Sequence, residues 1–243
     1  NPFVTHIFTA DPSAHVWEDG RLYVYPSHDV APPRGCDLMD GYHVFSTDDM
    51  VNWVDHGEIL HSSQVPWGRR DGGFMWAPDC AYKDGTYYFY FPHPSGDDWN
   101  NTWKVGIATS KEPAANFTVQ GYLDLGEDTF AMIDPCVFVD DDGQAYYFWG
   151  QFSAKGAKMN PDLKTLDWST YVDGLVTEED HFFHEGSFVF KRGDWYYFTY
   201  ADISQKERPT SIGYAMSKSP MGPYEYKGVI VNNAGCDPES WNN

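Results

Sequence analysis

The feature that most constrains this chain is one opening motif that occurs four times along it. Ala10-Asp11-Pro12 leads through Trp17-Glu18-Asp19-Gly20 into RLYVYPSHD, and Trp76-Ala77-Pro78 leads through Lys83-Asp84-Gly85 into TYYFYFPHP. Ile133-Asp134-Pro135 leads through Asp140-Asp141-Asp142-Gly143 into QAYYFWG, and His184-Glu185-Gly186 through Lys191-Arg192-Gly193 into DWYYFTYA. Each copy reads as a short strand, a tight turn at Asp-Gly or Arg-Gly, and a second strand rich in Tyr and Phe, which is the hairpin signature. A second pattern follows each copy, at 41–57, 103–121, 154–174 and 210–228. In the first, second and fourth it predicts a further strand, a polar turn and an outer strand carrying an aromatic. The third, AKGAKMNPDLKTLDWSTYVDG, matches this pattern poorly.

Two hairpins per unit make a four-stranded sheet. The units start 66, 57 and 51 residues apart, counted from Pro12 to Pro78 to Pro135 to Gly186. That is longer than the roughly 40–50 residues of common propeller repeats and leaves room for loops. The chain is therefore expected to be all-β, a β-propeller forming a single domain over 1–243. A sandwich would also have many short strands, but it gives no reason for one opening motif to recur. Four units are complete by residue 231, and the remaining GCDPESWNN (235–243) is too short for another blade. Either the propeller has four blades, or this sequence is the front part of a longer one.

Composition narrows the class of partner. With 36 Asp and Glu against 16 Lys and Arg, the formal charge of −20 opposes binding to a phosphate backbone, so nucleic acid is not an expected partner. A neutral polymer is not repelled, and 10 Trp and 17 Tyr supply ring faces on which the C–H faces of sugars stack. No stretch approaches the roughly 18 apolar residues needed to span a bilayer, and Asn1-Pro2-Phe3 does not begin a signal peptide. A membrane is not an expected partner either. Cys36, Cys80, Cys136 and Cys236 are scattered without a C-x-x-C pair to suggest a zinc or redox site, which leaves buried free thiols as the leading reading and disulfides as the alternative.

In a propeller the first strand of each blade lines the central channel, so equivalent places in the repeat form a ring around the axis. Here that place holds Asp11, Ala77, Asp134 and Glu185. Three carboxylates gathered at one end of a fold repel one another, and such crowding is kept where function or a cation requires it. Cleavage of a glycosidic bond needs this equipment: a protonated carboxyl to give a proton to the leaving oxygen, and a carboxylate to activate water on the opposite face. Asp11 and Glu185 suit those two roles, with Asp134 as a third group that raises the acid's pKa and holds the sugar. The opposing reading is that Asp-Pro pairs simply open turns.

The segments ADPSAHVW (10–17), WAPDCAYKDGTYYFYF (76–91), MIDPCVFVDDDGQAYYFWG (132–150), EGSFVFKRGDWYYFTYA (185–201) and IGYAMSKSPMGPYEYKGVIV (212–231) together resemble glycoside hydrolase family 43. The resemblance spans nearly the whole chain. It implies a five-bladed β-propeller and inverting hydrolysis of β-xylosides and α-L-arabinofuranosides from plant cell walls. Residue by residue it makes Asp11 the general base, Asp134 the pKa modulator and Glu185 the general acid. In similar sequences WNN is followed by a histidine-glycine segment that opens the fifth blade, its histidine helping to bind a central metal or water. This chain stops at Trp241-Asn242-Asn243, so the fifth blade and its histidine are expected to be missing from the sequence given. No cofactor is required by this chemistry, no metal ligands are assigned, and a structural calcium in the central channel is compatible with the resemblance. Secretion or a periplasmic location is the matching expectation.

Further candidates for substrate contact are Trp76, beside the ring position of the second unit, and His28, Asp29 and Trp149, at the ends of second strands. His184 adjoins the acid. Asp140-Asp141-Asp142-Gly143 superficially resembles a calcium loop but lacks the full ligand spacing, and is expected to be a solvated hairpin turn. A non-catalytic carbohydrate-binding propeller would use the same ring and aromatics, and would differ in releasing no sugar. An interaction scaffold would leave the carboxylate ring unexplained.

Overall fold

The computed structural model describes residues 2–31, 35–126, 132–205 and 211–233. The last segment read in the sequence, 235–243 with Cys236, lies outside them. The chain divides into two compact units, Asn1–Ile133 and Asp134–Asn243.

The first unit contains two four-stranded antiparallel meanders. One is β1 (Phe8–Val16), β2 (Leu22–Asp29), β3 (Gly41–Thr47) and β4 (Val54–His61); the other is β5 (Asp79–Lys83), β6 (Thr86–Pro94), β7 (Trp103–Ser110) and β8 (Thr118–Tyr122). The second unit repeats the plan with β9 (Cys136–Val139), β10 (Ala145–Trp149), β11 (Ser153–Met159) and β12 (Leu166–Thr177), then β13 (Phe183–Arg192), β14 (Trp195–Asp202), β15 (Ser211–Ser217) and β16 (Glu225–Asn232). The fold is all-β and of propeller type, with four blades among the described residues.

The turns form where the sequence places them. Asp84 and Gly85 both take positive φ, 49° and 72°, between the paired Lys83 and Thr86, as a two-residue hairpin of the right twist demands. The Asp140–Gly143 run is the β9–β10 turn, and Lys191 Nζ and the Tyr196 hydroxyl both donate to Asp140 there. The third blade forms its outer strands despite the poor pattern. β11 and β12 pair through two register shifts, with Thr170 Oγ1 accepting the N–H of Lys158 at one of them. These irregularities break the strict alternation by which a strand is recognised.

Alternation in the aromatic second strands builds the cores. Tyr23 and Tyr25 of β2 pack with Phe89 and Phe91 of β6 in the first unit, and Tyr146 and Phe148 of β10 pack with Phe198 and Tyr200 of β14 in the second. Each fully buried ring of this kind contributes about 1.5–3 kcal/mol. Phe91 lies across Gly106 of β7 so closely that a Cβ at Gly106 would collide with its ring. Cys80 and Cys136 are buried thiols outside any disulfide, as read from the sequence, whereas Cys36 is exposed. Among the described residues no helix is long and apolar enough to cross a membrane.

Candidate active site

In the second unit two of the three ring carboxylates come together. Asp134 stands just before β9 with φ 55°, a left-handed backbone that a side-chain-bearing residue adopts at a cost. This turns its buried carboxylate toward β13, where Oδ2 accepts the N–H of Gly186 at 2.9 Å. Glu185 is the residue before that amide. The register of β13 against β14 shifts on either side of Glu185, and Gly186 takes φ 75°, so the strand bulges where the acid sits. Glu185 is half-buried, and Gln151 Nε2 donates to its Oε2 at 2.6 Å. One carboxyl is thus tied to the backbone beside the other, whose own orientation is set by an amide side chain.

Asp11 belongs to the first unit and has the same local conformation as Asp134. Its φ is 49°, it also precedes proline, and it sits in the irregularity of β1 between Ala10 and Ser13. Its carboxylate neighbours the Tyr42 phenol, which is held well above the ordinary tyrosine range first by burial and then by the charge of Asp11. The Tyr42 hydroxyl donates to the carbonyl of Trp76 at 2.7 Å. Trp76 is half-buried, donates from Nε1 to the carbonyl of Cys36 and lies 4.6 Å from the Trp103 ring. Phe74 and the exposed Trp99 complete this aromatic cluster. Asp11, Tyr42 and Trp76 therefore form one connected group, within which Trp76 keeps part of its ring accessible.

The remaining candidates are placed differently. Asp29 and His28 end β2; Asp29 Oδ1 accepts the N–H of Val30, and the His28 ring meets His43 edge-on at 4.8 Å. Trp149 is only 3% exposed and packs between Tyr147 and Tyr171, so it has no open face for a sugar. The exposed rings beside it are Trp168 and Tyr171 of β12. His184 is held by Glu178, Nδ1 to Oε1 at 2.8 Å, with Phe152 against its ring.

Tyr42 and Gln151 were not singled out in the sequence. Tyr42 lies in the GYHVF strand, where its signal was absorbed by strand propensity. Gln151 is one polar side chain just after FWG, and no spacing rule marks it. The family model for glycosyl hydrolases family 43 matches residues 1–242. A xylosidase/arabinosidase 43A of Humicola insolens is 32% identical over 95% of this chain and 82% of its own length. A xylosidase/arabinosidase of Bacteroides ovatus is 30% identical over 92% of this chain and 78% of its own. Among solved structures, a β-xylosidase/α-arabinofuranosidase from a compost microbial metagenome, in complex with xylotriose, aligns with a TM-score of 0.80 at 30% identity, covering 96% of this chain and 80% of that one. Through this match, on top of the repeat and its carboxylates, the chain belongs to the glycosyl hydrolases of family 43.

Proposed function

We propose that this glycosidase removes terminal pentose units, β-xylosyl or α-L-arabinofuranosyl, from oligosaccharides of plant cell walls, with inversion at the anomeric carbon. The observation that carries the reading is the Asp134–Gly186 hydrogen bond beside Glu185 in a chain whose relatives include xylosidase/arabinosidases. In this proposal Glu185 gives its proton to the leaving oxygen as the C–O bond breaks. Asp11 takes a proton from the water that attacks the opposite face, and Asp134, bonded to the peptide that follows the acid, has the modulating role the resemblance gives it. Gln151 is a positioning residue that fixes the rotamer of Glu185, and Trp76 offers a stacking face for the sugar. His28, Asp29 and His184 are secondary candidates for contact with its hydroxyls.

A five-bladed ring and a secreted or periplasmic location belong to the same reading and rest on the resemblance. The chemistry as proposed uses no cofactor. A structural calcium would need a shell of oxygen donors. Among the described residues the one group of three potential ligands within reach of a single ion is His28, His43 and Glu58, whose two imidazoles do not suit calcium, and no step is routed through an ion. The test is a panel of aryl β-xylosides, aryl α-L-arabinofuranosides and xylo-oligosaccharides, with the first-formed anomer followed by NMR. Release of pentose as the inverted anomer supports the proposal. Sugar binding without release would reduce the chain to a carbohydrate-binding propeller.

A further inference from the structure

The three middle and outer strands of the first blade carry a second constellation, of which the glycosidase reading names only His28, as a secondary candidate. His43 of β3 and Glu58 of β4 are direct cross-strand partners. Ser27 of β2 pairs with Tyr42 of β3, so His28 and His43, each one residue further along its strand, are diagonal neighbours on the opposite sheet face from Tyr42. The ligand atoms of His28, His43 and Glu58 all lie within 4.8 Å of one another. Tyr42, the neighbour of Asp11, points away from this group.

We propose that His28, His43 and Glu58 bind a divalent transition-metal ion of the zinc type on this face of the first blade. Two imidazoles and one carboxylate, with a fourth position for water, are a donor set that zinc accepts readily. His43 Nδ1 is buried without a hydrogen-bond partner among the described residues, a state a metal or a proton-accepting neighbour would relieve. Asp55 Oδ1 stands 3.9 Å from His43 Nδ1, too far for a hydrogen bond, and its other oxygen is bonded to His6, so this carboxylate does not occupy the nitrogen.

Space for the carboxylate is built in. A Cβ at Gly41 would come within 2.6 Å of Glu58 Oε2, so the absence of a side chain there lets Glu58 lie over β3 beside His43. Two ligands at zinc distances stand at most about 4.2 Å apart, so loading draws the group inward. Glu58 is exposed and free to make that movement.

The test uses the purified chain after chelator treatment, titrated with Zn²⁺ by calorimetry and with Co²⁺ by visible absorption. One saturable Zn²⁺ per chain is expected, with affinity reduced about tenfold or more in both His43→Ala and Glu58→Gln, and a Co²⁺ ligand-field band that both variants lose. Glu58→Gln alters an exposed side chain, so it decides the matter if His43→Ala does not fold. Absence of saturable binding, or unchanged affinity in Glu58→Gln, overturns the proposal. So does loss of binding in His6→Ala but not in Glu58→Gln, which would place the ion on His6 and Asp55 instead.

Discussion

Asp134 and Glu185, 51 residues apart, are joined through one peptide unit: Asp134 Oδ2 accepts the N–H of Gly186, whose peptide bond is the one leaving Glu185. Asp134→Asn keeps an oxygen able to accept this N–H while removing the negative charge. The fold should therefore survive, while kcat on an aryl pentoside falls by about 10²–10⁴, the range attributed to general acid–base assistance. Thermal melting and steady-state kinetics on the same preparation check this. A wild-type kcat would leave Asp134 with a purely structural role.

Asp11 and Glu185 are assigned different jobs, and their variants should fail differently. Glu185→Gln withholds the proton from the leaving oxygen, so the loss should be severe on a xylo-oligosaccharide and much smaller on a dinitrophenyl glycoside, whose leaving group departs without help. Asp11→Asn withholds the base from water, so both substrates should suffer about equally, by about 10³ or more. Comparing kcat/KM for the two substrates across the two variants separates the roles. Identical leaving-group dependence in both variants would refute the division.

The Tyr42 hydroxyl is the link between the surroundings of Asp11 and the backbone of Trp76. Tyr42→Phe leaves the Trp76 carbonyl without that donor, which should cost about 1–3 kcal/mol of stability. It also loosens Trp76, so KM should rise while kcat changes less. Urea unfolding gives the first quantity and Michaelis–Menten analysis the second. Trp76→Ala should raise KM further, and a variant of Trp76 with unchanged KM would remove the ring from the sugar site.

How far these features were legible differs by kind. The four hairpins could be read because Asp-Gly turns and aromatic strands are local signals, and Asp84-Gly85 shows the backbone geometry those residues favour. Asp11, Asp134 and Glu185 could be read because the repeat itself marks their positions. Cross-strand relationships could not: the Gln151 contact to Glu185 spans 34 residues and the Tyr42 contact to Trp76 spans another 34. The burial of Trp149 was hidden for a related reason, since β10 is buried at every position and a strand covered on both faces shows no alternation. The outer strands of the third blade matched the pattern poorly because their bulges disturb the period on which recognition depends.

His93 of β6 supplies a prediction in which pH reports on burial. The residue is fully buried, beside Trp67 and against Gly68, whose absent Cβ would stand 2.5 Å from Nε2. Burial, the largest cause, pushes its pKa from the ordinary 6.5 down to about 4. Because the folded value is the lower one, the unfolded chain takes up the proton first as pH falls. Stability from this group is complete above about pH 6.5, declines between 6.5 and 4, and levels off below 4. The decline is bounded at about 3 kcal/mol, because each tenfold difference in proton affinity between the folded and unfolded chain is worth about 1.36 kcal/mol. Other groups also titrate in this window, so the informative quantity is the difference between wild type and His93→Leu. The variant should be less stable at pH 7 through poorer packing, yet should lose less on acidification to pH 4 when unfolding free energies from urea titrations are compared. Parallel curves for the two proteins would show that His93 takes up its proton equally in the folded and unfolded states.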